Sequence, residues 1–565
     1  MKVLKPALMG LCLAALLVGL TSETEAFYVD ENKTLSLGAK LQTRATFRLQ
    51  DAEKNGYTYP QDTKVGDLVQ WRNLALIEIN HDLEELTYDL GILWPLKKLE
   101  IQAKYHLVGR FMYEALYNVG SDGFRAVRDK DKENIDDFKQ AYDLWEFYFD
   151  FSRGPWLLRI GRQILAWGET DIFRLLDGIN PLDNTFGGPF EDLDDRRIPL
   201  WMLRGSYNLG NLGPFYSLSI EGFWVPGTWD AKVAPWAPFG TPYMAPDPEV
   251  SVYNRLFVNP PAKKMSNSRW GGRLQWVFGT DMNCSVAHYK SFLDVGSPYF
   301  VVTESLPEGT PLLDFSALQA IVEYPSVQVT GGSMTYWESK TNIVFRGEIA
   351  QFWDEPLFEL SQNGRPLLAD YIPLPPAAMD ALAAFAGEDA RSFGYFGVPL
   401  SPQSGNIAKR DVLRWMIGFD KQLWVRPLND TSMFFTSFQY FGQWIQDHRN
   451  DTILPAVIPD KFVPNTVNQI TGEPVPDYLE FPHVKETEHI FTALITTNYL
   501  KGSLIPQMAA AYDLRGVWLL LPSINYIREP FRFGIQYAAI VGNYTSFGLF
   551  RDRDQIAFTF AYLLN

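Results

Sequence analysis

The sequence predicts an all-β fold: a transmembrane antiparallel β-barrel of about 18 strands, with short periplasmic turns, long extracellular loops and a few short helices. Three observations carry this. Beyond the N-terminus no apolar run is long enough for a spanning helix, although aromatic residues reach 15%. Long segments alternate apolar and polar residues in step. The connections between them mostly alternate short and long. Lipid cannot satisfy an open sheet edge, so strands that cross a membrane must close on themselves.

The N-terminus comes first. Lys2 and Lys5 precede an uncharged run from Ala7 to Leu20, followed by polar Thr21–Glu25, with Thr24 and Ala26 placed as small residues before a cleavage point. A spanning helix needs roughly 20 apolar residues, so the run predicts a cleaved export signal over 1–26. Residues 27–565 then form one barrel domain in a bacterial outer membrane. Cys12 has no lipobox before it. The mature chain keeps Cys284 as its single cysteine, which excludes an internal disulfide. About eight residues precede the first strand of that chain, too few for the N-terminal plug of an energised receptor.

The alternation is clearest over 35–50 and 99–114. Leu35, Leu37, Ala39, Leu41, Ala45, Phe47 and Leu49 face one way there, and Ser36, Lys40, Gln42, Arg44, Arg48 and Gln50 the other. Such runs exceed the usual soluble strand, and their charged face suits a wide, wet lumen. Further strands are predicted near 68–80, 142–151, 156–166, 198–208, 215–225, 269–279, 284–293, 326–337, 342–353, 411–424, 432–446, 488–499, 504–513, 517–526 and 531–541. The last, 555–564, sets Ile556, Phe558, Phe560, Tyr562 and Leu564 against Gln555, Ala557, Thr559 and Ala561. Asn565 stands where a terminal Phe is usual. The even strand number puts both ends at the periplasm.

Short turns are expected at Ser152–Pro155, Leu209–Pro214, Thr280–Asn283, Glu338–Thr341, Val425–Thr431, Leu500–Ser503 and Ile527–Pro530. Long loops are expected over 115–140, 167–197, 226–268, 294–325, 354–410 and 447–487. Segment 81–98 is long where a turn is due and has room for a hidden hairpin; Leu514–Gly516 is short where a loop is due. Residues 375–388 and Asp314–Tyr324 read as short helices. The aromatic loop 226–268 and its neighbours either cap the rim or fold into the mouth as a binding surface or constriction.

Composition narrows the function. The net charge is −16, and Lys2 and Lys5 cancel Glu23 and Glu25, so residues 27–565 keep the same charge. Nucleic acid is therefore not an expected partner. His81, His106, His288, His448, His483 and His489 show no metal-ligand spacing, and no nucleophile elbow, phosphate loop or haem-attachment motif is present. No metal, cofactor or catalytic residue is assigned.

The inward positions gather charge: Lys40, Arg44, Arg48, Arg72, Glu78, Lys104, Arg110, Glu114, Arg159, Arg273, Arg346, Glu348 and Arg414. Facing lipid they would be costly, so they are expected to line the pore. One reading is a salt-bridged wall. The other is a basic strip of Arg44, Arg48, Arg110, Arg346 and Arg414 that guides an anionic solute, giving weak anion preference that shifts toward cations when Arg346 and Arg414 become Gln. The densest charge lies over 159–199, where Glu169, Asp192, Asp194 and Asp195 are expected to meet Arg162, Arg196 and Arg197 around Trp167, as a loop lock or a solute site. The acidic run lacks the ligand pattern of a calcium loop.

Arg-Ile-Gly-Arg-Gln leading to Trp-Gly-Glu-Thr (159–170), Ile-Asn-Pro-Leu-Asp (179–183) and the charged run into Ile198-Pro199 resemble the Domain of Unknown Function 1302 family. Phe345-Arg346-Gly347-Glu348, Gly418-Phe419-Asp420, Leu428-Asn429 and Gln439 extend the resemblance over most of the chain. It implies an outer-membrane barrel, often encoded near RND-type transporters of hydrophobic compounds, and brings no catalytic residues. The expectation is a channel for a small organic solute, hydrophobic or amphipathic. The alternatives are a barrel-borne enzyme such as a lipase, and a scaffold barrel around an electron-transfer partner.

Overall fold

In the computed structural model the described residues are 27–51, 63–83, 94–130, 132–171, 173–183, 193–227, 256–294, 297–302, 318–359, 361–362, 365–366, 408–450, 452–453, 461–467, 474–480, 484–543, 546–551 and 553–564. One sheet of 20 strands dominates. Two of its members, Phe27–Tyr28 and Thr452–Ile453, are two-residue additions. The other 18 close into a ring of antiparallel neighbours.

In chain order these are β1 (Leu35–Arg48), β2 (Leu68–Asp82), β3 (Gln102–Glu114), β4 (Gln140–Arg153), β5 (Trp156–Gln163) and β6 (Leu200–Leu212). Then come β7 (Phe215–Val225), β8 (Arg269–Phe278), β9 (Met282–Phe292), β10 (Ser326–Glu338), β11 (Ile343–Glu359) and β12 (Ala408–Leu423). The ring ends with β13 (Phe434–Ile445), β14 (Thr487–Thr496), β15 (Leu504–Asp513), β16 (Val517–Arg528), β17 (Phe531–Gly542) and β18 (Gln555–Leu564). Strand β18 returns to β1, pairing from Ala39 with Leu564 to Arg48 with Gln555. The ring thus has no unpaired edge. Strand β2 pairs directly with β3, so no hairpin enters the wall from 81–98. That connection carries a short helix, Trp94–Lys98. At the start of the chain, Asp30 accepts bonds from the amides of Thr34 and Leu35. The Thr34 amide is the larger influence holding its carboxyl down at about 2.

The outer face is apolar, as the period of two requires. Ile220, Val286, Ile349, Ile417, Ile524, Ile535 and Phe558 stand exposed around the ring. Exposed Trp71, Trp201, Trp224, Trp270, Trp353, Trp444 and Trp518 all lie near the loop ends of their strands. Trp156, Phe215, Phe278, Trp337 and Trp424 lie near the turn ends. An apolar band between two aromatic girdles is what a bilayer selects, because amphipathic rings settle at headgroup level.

Two expectations are corrected. The Asp314–Tyr324 helix is not formed over its described residues: Leu318–Glu323 is a strand, antiparallel to Ser297–Val302 and parallel to Leu256–Asn259. A helix that short is unstable alone, and two partner strands satisfy its backbone instead. The expected 375–388 helix lies outside the described residues. Three helices, Leu116–Val119, Asp122–Lys130 and Lys132–Phe138, fill the connection from β3 to β4, burying Tyr117, Phe124 and Ile135 against Val69.

The second correction concerns the lumen. It is not polar throughout. Met202, Phe223, Tyr289, Val329, Ala350, Phe352, Val412, Met416 and Phe441 sit on the inner phase of β6 to β13 and form one buried apolar cluster. Their cover is the connection from β5 to β6.

Candidate functional site

The connection leaves β5 at Gln163 and turns into the barrel. Gly161 has φ +139°, and a Cβ there would lie 2.2 Å from the Phe147 carbonyl oxygen, so only glycine fits. Leu165, Trp167, Leu175, Leu176 and Ile179 then enter the apolar cluster. On the wall, Gly331 makes room: a Cβ there would lie 2.8 Å from Leu176 Cδ2. Phe173 meets Phe441 edge-on at 5.3 Å between ring centres.

Polar contacts pin this segment at each step, which its buried backbone requires. Asn180, fully buried, accepts from the Leu165 amide at 2.9 Å and donates to the carbonyls of Gln163 and Ile198. Glu348 accepts from the amides of Glu169 and Leu176, both at 2.6 Å. Asp294 accepts from the Leu182 amide and pairs with Arg174. The Tyr289 hydroxyl accepts from the Gly178 amide at 3.2 Å.

Two ionic centres hold the segment to the wall. Glu221 on β7 takes Trp167 Nε1 at 2.5 Å, Arg204 at 2.8 Å and Arg273 at 3.4 Å. Arg346 on β11 donates to Asp171 and Asp420, each at 2.8 Å, and to Ser437 at 3.0 Å. It also donates to the Glu169 carbonyl, while Gln439 donates to Asp171 at 2.8 Å. Arg197 closes the segment on Asp177 at 2.6 Å. Burial pushes the Asp177 carboxyl above its ordinary range, and Arg174 and Arg197 pull it back.

The structure separates the expected pore residues into groups. Glu78 and Lys104 are exposed inside the turn half of the barrel. Lys40, Arg44, Arg159, Arg273, Arg346 and Arg414 are half-buried. Arg48, Arg72, Arg110, Glu114 and Glu348 are buried. Glu114 serves the backbone, accepting from the amides of Trp71 and Leu116. Glu348 lies sealed beneath the inner segment, so neither carboxylate lines open lumen. Arg346 and Arg414 do not form a bare basic strip: Arg414 donates to Glu355 and Gln443, both at 2.7 Å.

Within the expected loop lock the described residues make these contacts. Glu169 meets Thr335 at 3.4 Å, not Arg162. Arg162 donates to the carbonyls of Leu144 and Pro199. Arg197 takes Asp177. Asp195, on the short helix Leu193–Arg196, points across to Lys40 on β1 at 3.9 Å. That helix carries Arg196 in its last turn. Asp192 and the side chain of Asp194 lie outside the described residues. Asn180 was singled out only within the 179–183 motif, without a role, and sequence reasoning missed Glu221, Asp171 and Asp177. Glu221 alone carried a signal, being a lone acid on the inward phase of a clear strand.

A polar cluster stands on the inner wall of β2 to β5. Arg159 forks onto Asp150 at 2.7 and 2.8 Å and lies 3.9 Å from the Tyr148 ring centre. His106 stacks on the same ring at 4.8 Å and bonds Asn80. Among the described residues no group of three or more His, Cys, Asp or Glu is placed to hold a metal.

Three crystal structures of bacterial proteins are similar over nearly their whole length. OccK3 (OpdO) of Pseudomonas aeruginosa is 9% identical with a TM-score of 0.42, over 94% of this chain and 95% of that one. A BenF-like porin from Pseudomonas fluorescens Pf-5 is 9% identical with a TM-score of 0.43, over 95% and 99%. OccAB1 of Acinetobacter baumannii is 9% identical with a TM-score of 0.41, over 96% and 99%. No curated protein matches the chain. The sequence profile described as Protein of unknown function (DUF1302) matches residues 7–564, and the chain therefore belongs to that family.

Proposed function

We propose that the protein is an outer-membrane channel for a small organic solute of amphipathic character. Residues 1–26 are read as its cleaved export signal and residues 27–565 as one barrel domain. The observation that carries the reading is an apolar-belted, closed 18-strand ring whose interior keeps solvated charge beside a packed inner segment. Barrels of this strand number enclose an aqueous lumen, and solvated charge on the inner wall suits passage better than a filled core. The turn end is then periplasmic and the loop end extracellular. The pore-facing set keeps Lys40, Arg44, Glu78, Lys104 and Arg159. An RND-type transport system is the proposed partner on the periplasmic side, a role that rests on the family resemblance. The reading assigns no catalytic residue and no cofactor.

Purified protein added to planar lipid bilayers is expected to give stepwise ion current. Solutes that enter should interrupt it in proportion to concentration. Barrels that insert without raising the current above that of bare lipid overturn the reading.

A further inference from the structure

The inner segment divides the lumen unequally. On the side of β6 to β13 its apolar residues press against the wall, leaving Ala350 and Val412 fully buried. On the side of β1 to β3 the inward charges of the turn half keep their water, the side chains of Lys40, Glu78 and Lys104 being 28%, 49% and 58% exposed, whereas Arg48, Arg72, Arg110 and Glu114 nearer the loop end are buried. The connection reaches that side through helix Leu193–Arg196, where Asp195 Oδ1 lies 3.9 Å from Lys40 Nζ. The Asp195 side chain is 34% exposed. Directly beside Lys40 on the neighbouring strands stand Leu76 and Leu563, both apolar. Four residues along β1, toward the loop end, Arg44 donates to Gln536 on β17 at 3.0 Å.

We propose that a carboxylate-bearing organic solute enters the barrel from the turn end along β1, and that the Lys40–Asp195 pair is its selectivity step. The solute carboxylate takes the place of Asp195 beside Lys40, with Arg44 as the next cationic station toward the loop end. The inference rests on the channel reading and names the solute class and the residues that choose it.

The two kinds of ion pair in the connection support this division of labour. Arg197 meets Asp177 at 2.6 Å beneath the segment, where water is excluded and the pair holds the segment down. Lys40 and Asp195 meet at longer range with their side chains 28% and 34% exposed, where such a pair is weaker and screened and an incoming anion of the same chemistry can replace one member. Conduction needs a site favourable enough to enter and weak enough to leave. A lysine whose counter-charge belongs to the protein meets both needs. Asp195 competes with the solute, so the anion is released as the pair re-forms. Gln42, between Lys40 and Arg44 on the inward phase, keeps the path polar.

Two measurements on the full barrel test the proposal. In a Cys284→Ser background, Gln42→Cys and Val412→Cys are exposed to a negatively charged methanethiosulfonate after reconstitution, with modification read by mass spectrometry. Folded barrels are selected by heat-modifiable migration. Gln42→Cys should react several-fold faster than Val412→Cys. Reversal potentials across a potassium butyrate gradient form the second arm. Asp195→Asn should raise the butyrate-to-potassium permeability ratio several-fold, Lys40→Gln should lower it, and exchanging the two charges should bring it back toward the parent value. Equal reactivity at both cysteines, or a permeability ratio indifferent to both single substitutions, overturns the proposal. Folded barrels that carry no current at all overturn the channel reading itself, and the labelling contrast then still reports whether the lumen is divided.

Discussion

Glu348 shows what a single inward carboxylate can be asked to do. On sequence it is one of several charges on the polar phase of a strand. In the fold it is 3% exposed and accepts two backbone amides, those of Glu169 and Leu176. Removing a buried acceptor leaves its donors unsatisfied, at roughly 1–3 kcal/mol for each group. Glu348→Ala should therefore loosen the inner segment without opening the wall. Hydrogen exchange at the amides of Glu169 and Leu176 should rise by orders of magnitude while the amides of β11 stay protected. Unchanged exchange at both amides would mean that the apolar packing of Leu176 and Ile179 alone holds the segment. The neighbouring Arg346 illustrates the same lesson with opposite sign. Its charge is answered by Asp171 and Asp420, so it is a tether to the segment before it is an attractor of solute.

At the scale of elements, the strands follow from side-chain period alone. In β18, Phe558 and Phe560 are exposed on the outer face, and Thr559 stands beside Arg44 within. Phe560→Arg places a charge on the lipid face and should cost roughly 2–4 kcal/mol if it sits near the bilayer midplane, enough to lower insertion. Thr559→Arg should be tolerated, since it adds a charge to a wet wall. Comparing the yield of heat-modifiable barrel for the two variants tests the register, and equal yields would place the faces the other way round. The connection from β5 to β6 obeys a different rule. Its apolar residues, Leu165, Trp167, Leu175, Leu176 and Ile179, have neither helical nor strand period, because they are spaced to meet a wall already built by other strands.

At the scale of the molecule, closure is the decisive event. The ring forms when β18 pairs with β1, the longest sequence separation in the fold. The described wall strands then pair all the way round the ring, which is what makes the hydrocarbon tolerable. The closed ring should migrate faster in gel electrophoresis before boiling than after, and should be recovered in the outer-membrane fraction. Recovery as a soluble periplasmic protein, or migration unaffected by heat, would be incompatible with a closed barrel in a membrane.

The sequence by itself determined the ring. Eighteen strands, their inward and outward faces and the placement of short turns were legible because lipid on one side and water on the other impose a period of two that each strand carries locally. Strand limits agreed to within a few residues, as in β7, β15 and β18. The interior was legible only in part. The inward charges were found, but not that Glu348 and Glu114 serve backbone amides, nor that Asp195 faces Lys40 rather than an arginine nearby in the chain. Nor did alternation reveal that the inner face of β6 to β13 carries a buried apolar cluster, because an inward Val412 or Met416 reads as a lapse in a pattern until the segment that covers it is seen. Only the tertiary structure decided these points. A partner across the lumen is chosen by position in the closed ring, and neighbours separated by more than a hundred residues leave no local trace in the chain.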